Sequence, residues 1–550
     1  ARVPETYIKR ILNLAASGVR EIEFTRYDTD WQSDAYTTVS GQNANNSVRV
    51  PDAFMQRVTQ NEETGASNDV WPLTRRYDQQ VAKHVPVQEL WTQITRAAWE
   101  SADPGLQYDT TINDWHTCPN AGRINASNPC SEYMFLDDTA CNLGSINLYR
   151  VHHAGGATFG VFANLPYVAR LATLALDITV GMAGYPSETI AARSAQYRTL
   201  GLGYANLGGL LMSLGISYDS AEGREIAATI SALMTGEAYA MSAEMAGVLG
   251  AFPGYADNKM PMRQVIENHF KAAHGDTEGY DGLSKAPMAL KKKVLPSAWQ
   301  AVADRACDAW HRALEHGATH GYRNAQVTVL APTGTIGMLM DCDTTGVEPS
   351  FAIVAMKSLA GGGKMVIVNK RLAEGLASLG YRPEQITEIS QYVAGHKTFK
   401  GAPVLSRETL AKAYGLDQKC LNALETAAVS AFSVRFIFNE HTLGRDCLIN
   451  ELGVSEEDLL DPRFCLLSWL GLTTEQIQEL DTYVCGTHTV EGAPHLQHED
   501  LDVFLTATPV GTGTRYLSPR SHVDMVAAVQ PFISGAVSKS DLRNISKQTR

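Results

Sequence analysis

Asn128-Pro129-Cys130-Ser131-Glu132 sets an amide, a thiol and a carboxylate at every second position. In an extended segment such alternate side chains leave one face. A straight strand would hold the outer two Cα atoms roughly 13 Å apart, at about 3.3 Å per residue, too far to meet one small ligand by their shortest reach. Pro129 fixes φ and has no N–H for a ladder. The chain is therefore expected to form a curved loop here, with Asn128, Cys130 and Glu132 converging at its tip.

A cysteine nucleophile wants a histidine base. The flanking histidines, His116 and His152, are remote in sequence. A carboxylate raises a thiol pKa and disfavours a resting thiolate. The trio suits a thiol that reacts as a neutral radical, with Glu132 as proton acceptor. Taken alone, it equally fits a buried cysteine, a capping asparagine and a surface glutamate.

Other segments carry weaker signals. Pro332-Thr333-Gly334-Thr335-Ile336-Gly337 offers two hydroxyls and open backbone N–H groups, which can cradle an anion at a helix N-terminus or form a plain turn. Residues 326–330 read as a strand feeding it. Leu359-Ala360-Gly361-Gly362-Gly363-Lys364 lacks the spacing of a nucleotide P-loop. Gly201-Leu202-Gly203 fails the dinucleotide pattern. With Leu207, Leu210, Leu211 and Leu214 at helical spacing, it reads as close helix packing.

Net charge is −13, which argues against nucleic-acid or anionic-membrane binding. No apolar run approaches the roughly 18 residues of a spanning helix, and the N-terminus has no secretory pattern. Nine cysteines without a CxxC pair argue against a zinc knuckle and for reduced thiols in the cytoplasm.

Helices are expected over residues 6–17, 163–183 and 221–247, with short strands and helices alternating from 41 to about 360. An internal repeat follows. Leu379-Gly380 recurs as Leu470-Gly471, Tyr392-Val393 as Tyr483-Val484, and Gly401-Ala402-Pro403 as Gly492-Ala493-Pro494, at a constant offset of 91 residues (470 − 379). Two copies are too few for a solenoid. His488 and His495 in this stretch read as structural.

The run from Asn125 to Gly144 resembles the active-site finger loop of ribonucleotide reductases, most closely the adenosylcobalamin-dependent class. Similar segments lie in order along the chain: 41–50, 102–108, 115–119, 200–208, 331–336, 341–349 and 527–536. The stretch around Tyr516 lacks the paired tyrosines of the class with a separate radical subunit, and no C-terminal glycyl-radical site is present.

The resemblance implies an α/β fold, a ten-stranded barrel around the finger loop. The barrel would occupy residues 1–364, a duplicated helical insertion 365–505, and the last strand with the tail 506–550. It implies that Cys130 is the thiyl radical abstracting the 3′-hydrogen, that Glu132 takes the 3′-hydroxyl proton, and that Asn128 binds the ribose hydroxyls. Cys141 would be one of the reducing dithiol pair. Substrate contacts would come from Ser127, Pro332, Thr333, Gly334, Thr335 and Ile336, the last five cradling phosphates. Gly361, Gly362 and Gly363 form either a flexible turn or a close approach to the corrin ring.

The implied cofactor is adenosylcobalamin; the substrate is a ribonucleoside diphosphate or triphosphate, with diphosphate preferred. A thioredoxin-like or dithiol reductant resets the thiols, and a homodimer is compatible. Family members carry further residues upstream, including the partner of Cys141, so an N-terminal segment or subunit is expected to complete the barrel. Cys118 reads as structural. Two functions remain open: a catalytic subunit, or a nucleotide- and cofactor-binding piece without turnover.

Overall fold

The computed structural model describes residues 5–20, 44–65, 69–75, 77–101, 103–154, 162–358, 364–461 and 463–538. By its internal contacts the chain divides into two units. The smaller comprises residues 1–48 and 56–106. It contains the helices Glu5–Ala16 and Val87–Ser101 and an antiparallel strand pair, Val70–Thr74 with Val81–Pro86. The first helix matches the expected span to within one residue at each end.

The larger unit is built on parallel pairing. Leu200–Ala205 is buried along its whole length and runs parallel to Asn142–Asn147, as expected of a strand covered on both faces. Residues 326–330 extend the array: Leu200 N–H donates to Gln326 O (2.8 Å) and Val329 N–H to Leu202 O (3.0 Å). Residues 535–538 follow, with Leu330 N–H donating to Ala536 O (3.0 Å) and Ser538 N–H to Leu330 O (2.9 Å). The array therefore follows chain order, its members separated by helical crossovers.

These last two segments pair through single bridges, not ladders. Among the described residues no sheet closes on itself, and each continuous ladder has two strands. The architecture established here is mixed α/β with a parallel array.

Helices Ala221–Leu249 and Ser297–His320 back this array and bury Tyr239, Trp310 and Ala309 between them. Ser220 starts the former by accepting a hydrogen bond from Gly223 N–H at 2.8 Å. Among the described residues one helix, Leu165–Met182, does have the length and apolar composition to cross a membrane. Arg170 and Asp177 interrupt its apolar run. Both are engaged in ion pairs, Arg170 with Glu244 and Asp177 with Arg198.

The glycines at 201 and 203 correct the sequence reading. They lie in a strand, not at a helix contact. A Cβ on Gly203 would collide with Val329 O, so the small residue admits the neighbouring segment of the array.

The repeated residues face each other reciprocally. Tyr392 Oη donates to Glu491 O and Tyr483 Oη to Lys400 O, each at 2.9 Å. His396 N–H donates to Tyr483 O (2.8 Å), and its counterpart Thr487 N–H to Tyr392 O (3.0 Å). The helices Pro383–Ala394 and Thr474–Val484 thus cap one another's ends. Gly395 and Gly486 make this possible: φ is +77° and +86°, and a Cβ on either would strike the other copy's backbone. Gly395→Ala should destabilise the chain by about 2 kcal/mol or more, since backbone cannot yield as a side chain does. Urea unfolding measures this, and an unchanged midpoint would refute the clasp.

His488 is buried and Nε2 lies 3.0 Å from Cys485 O, while His495 pairs with Glu388 at 2.6 Å. Both have structural partners.

Candidate active site

The segment at 128–132 is a loop pinned at its base by an antiparallel bridge between Ser127 and Met134. Ser131 N–H donates to Asn128 O (3.0 Å), closing a turn with Pro129 at its second position, where its fixed φ is favoured. Ser131 has φ +65°, unusual for a residue with a Cβ. Gln107 Nε2 donates to its hydroxyl at 2.9 Å.

Asn128 uses its carbonyl oxygen inward, accepting from Tyr133 N–H (3.0 Å) and Ser127 Oγ (3.2 Å). Ser127 also donates to Tyr133 O (2.8 Å), so its hydroxyl braces the loop. The Asn128 amide is thereby oriented through its carbonyl oxygen.

Cys130 is exposed, whereas Glu132 is only 2 % exposed. Glu132 Oε2 has no hydrogen-bond partner in the structure. Its backbone carbonyl is stitched to the parallel array by Ala536 N–H at 2.8 Å. An unpartnered buried carboxylate oxygen is costly unless a ligand satisfies it.

Cys141 immediately precedes the strand Asn142–Asn147. Burial first, then the Glu132 charge, push its thiol above the ordinary range. The same two causes raise Cys130. One carboxylate thus acts on two thiols, and both are held protonated. Behind Cys141, Tyr133 Oη bonds the hydroxyls of Thr139 and Thr199, each at 2.8 Å. Cys118 is fully buried, its thiol pushed up to about 12 by burial, which makes it inert.

Gly201 faces Cys141. A Cβ there would run into Cys141 Sγ and come within 2.6 Å of Leu143 Cδ2. Gly201→Ala should displace the thiol and cost about 1–3 kcal/mol by overpacking. Thermal unfolding and the alkylation rate of Cys141 check this; wild-type values for both would show that the contact yields freely.

The turn at 332–336 leads from the carboxyl end of segment 326–330 into the short helix Thr335–Leu339. Ligands of α/β sheets gather at such ends. Pro332 is partly buried, and Gly334, Thr335 and Ile336 are exposed. The expectation of two available hydroxyls needs correction. Thr333 is buried with φ +54°, and its hydroxyl is engaged by Ser145 Oγ (2.9 Å) and Ala331 O (3.2 Å). The turn presents the Thr335 hydroxyl and the first N–H groups of the helix. The strand that begins beside Cys141 therefore also braces this turn through Ser145, a link with no local sequence signal.

Gly361, Gly362 and Gly363 lie outside the described residues. The strands flanking them, Val354–Ser358 and Lys364–Val368, pair antiparallel.

The family model for the ribonucleotide reductase barrel domain matches residues 25–428 and 457–544. A vitamin B12-dependent ribonucleotide reductase of Agrobacterium fabrum is 52 % identical over 539 residues, covering 98 % of this chain and 42 % of the relative. One of the same name from Bradyrhizobium diazoefficiens is 49 % identical over the same shares. A vitamin B12-dependent ribonucleoside-diphosphate reductase of Mycobacterium tuberculosis is 32 % identical over 63 % of this chain. The chain spans about two fifths of the length of these relatives.

Proposed function

Because the chain belongs to the ribonucleotide reductase barrel-domain family, we propose that it carries the catalytic centre that reduces ribonucleotides to 2′-deoxyribonucleotides. The observation that carries this reading is the loop at 127–134, whose exposed Cys130 thiol is under the charge of the buried Glu132, one oxygen of which has no partner.

In this reading Cys130, as a thiyl, takes the substrate's 3′-hydrogen. Glu132 Oε2 accepts the 3′-hydroxyl proton, and Asn128 Nδ2 donates to a ribose hydroxyl. The 2′-hydroxyl then leaves as water. Cys141 and a second thiol supply two electrons and two hydrogens, becoming a disulfide that an external dithiol such as a thioredoxin-like protein resets. Cys130 returns its hydrogen to C3′. The Thr335 hydroxyl and the adjacent N–H groups hold the phosphates, with Ser127, Pro332, Thr333, Gly334 and Ile336 shaping the site.

Adenosylcobalamin, when bound, supplies the radical that removes the Cys130 hydrogen atom; the relatives' names support this cofactor. The residues fit it chemically, since Cys130 is exposed and kept as the protonated thiol from which a hydrogen atom leaves. Gly361–Gly363 are assigned to its binding.

The substrate is a ribonucleoside diphosphate, which the name of the Mycobacterium relative supports. The parallel array is taken as part of a ten-stranded barrel, completed by an N-terminal segment that supplies the second thiol; the relatives' greater length supports this. Residues 365–505 are assigned to a helical insertion. A cytoplasmic setting keeps the nine unpaired thiols reduced.

The test is deoxyribonucleotide formation with adenosylcobalamin, dithiothreitol and each ribonucleoside diphosphate, alone and with the N-terminal segment of a full-length relative. Multiple turnovers only with that segment are expected. Sustained turnover alone would place the second thiol in this chain. No product in either arm, despite cofactor binding, would leave a binding piece without catalysis.

A further inference from the structure

Far along the chain from the finger loop, Cys420 and Cys447 lie in the hydrophobic cluster formed by residues 399–485, and the exposed Asp417 and Glu451 adjoin them. Asp417 is the N-cap of helix Gln418–Ser430, its Oδ1 accepting from Cys420 N–H at 2.7 Å. Cys447 and Glu451 bound a π-helical turn, a rare conformation that often marks function. The ligand atoms of Cys420, Cys447 and Glu451 all lie within 4.8 Å of one another. Cys420 Sγ is 3.7 Å from Glu451 Oε1, and Cys447 Sγ is 4.0 Å from Glu451 Oε2. Asp417 N–H donates to Glu451 Oε2 at 2.9 Å, drawing the two pieces of chain together.

We propose that Cys420, Cys447 and Glu451 form a structural zinc site, with the second Asp417 oxygen or water in the fourth position. Two residues separate Asp417 from Cys420 and three separate Cys447 from Glu451, within the gaps found between ligands of structural zinc sites. Two soft sulfurs with oxygen donors select zinc over magnesium or calcium. Both sulfurs are buried while Glu451 is exposed, which gives the ion an entry side. Binding exchanges two thiol protons for one Zn²⁺, with no change of oxidation state. The absence of a CxxC pair hid the site because half its donors are carboxylates.

The whole chain, purified under reducing conditions and stripped with chelator, is titrated with Zn²⁺ and separately with Co²⁺. One equivalent of each should bind. The cobalt form should show thiolate-to-metal charge-transfer absorption, and zinc should raise the unfolding temperature. Cys420→Ser with Cys447→Ser should abolish all three effects. Glu451→Gln, at an exposed position and still able to accept from Asp417, should fold normally and weaken zinc at least tenfold. Cys130→Ser with Cys141→Ser should bind zinc as wild type does. Failure to bind either metal, a Cys420–Cys447 disulfide in the reduced protein, or binding that follows Cys130 and Cys141 instead would overturn the assignment.

Discussion

Cys130→Ser should reduce deoxyribonucleotide formation to background, a loss of more than roughly four orders of magnitude, in the assembly that supports wild-type turnover. Removing the group proposed to carry the reaction forfeits the whole route, whatever the binding groups still contribute. The serine hydroxyl holds its hydrogen far more strongly than a thiol does. The protein should otherwise be unaffected, because Cys130 is exposed and sits on a loop held by neighbours. Stability should stay within about 0.5 kcal/mol of wild type, and nucleotide binding should persist. Cys141→Ser serves as the contrast: substrate can still be activated, but the ribose lacks its reductant. Residual multiple turnovers in Cys130→Ser would remove Cys130 from the chemistry altogether.

The loop at 128–132 was legible because its signal is local. Pro129 has no N–H for a ladder strand, and it sits in the turn that Ser131 N–H closes on Asn128 O. What holds the loop was not legible. Gln107 on Ser131, Ala536 on the Glu132 carbonyl and Ser145 on Thr333 are contacts across 24, 404 and 188 residues of chain. Gly201 and Gly203 were misread for a related reason. Leu200–Ala205 is buried on both faces and shows no alternation, so the helical spacing of the leucines after it dominated the pattern. The hydroxyl of Thr333 looked available because a motif names residue types, while φ +54° turns the side chain into the protein. The repeat was visible as a fixed offset. That its copies clasp each other follows only from Gly395 and Gly486 meeting the opposite backbone.

Glu132→Gln should separate two effects of one carboxylate. As proton acceptor for the 3′-hydroxyl, its loss should lower kcat by roughly 10²–10⁴-fold, with little change in KM, since general-base assistance acts in the transition state. Glutamine keeps the size and one carbonyl oxygen, so the loop should fold. Stability should not fall, because the change removes a buried charge whose Oε2 has no partner. The second effect concerns the thiols. The Glu132 charge raises both Cys130 and Cys141, after burial the next cause at each. Removing it lowers both toward the ordinary range, so more thiolate is present at a given pH. Alkylation of the exposed Cys130 should then become faster at fixed pH, its pH–rate curve moving to lower pH, while reduction of substrate becomes slower. A carboxylate without electrostatic influence on the thiol would leave the alkylation curve where it is. Opposite movement of the two rates is the signature of a group that both receives a proton from substrate and keeps the neighbouring thiol protonated.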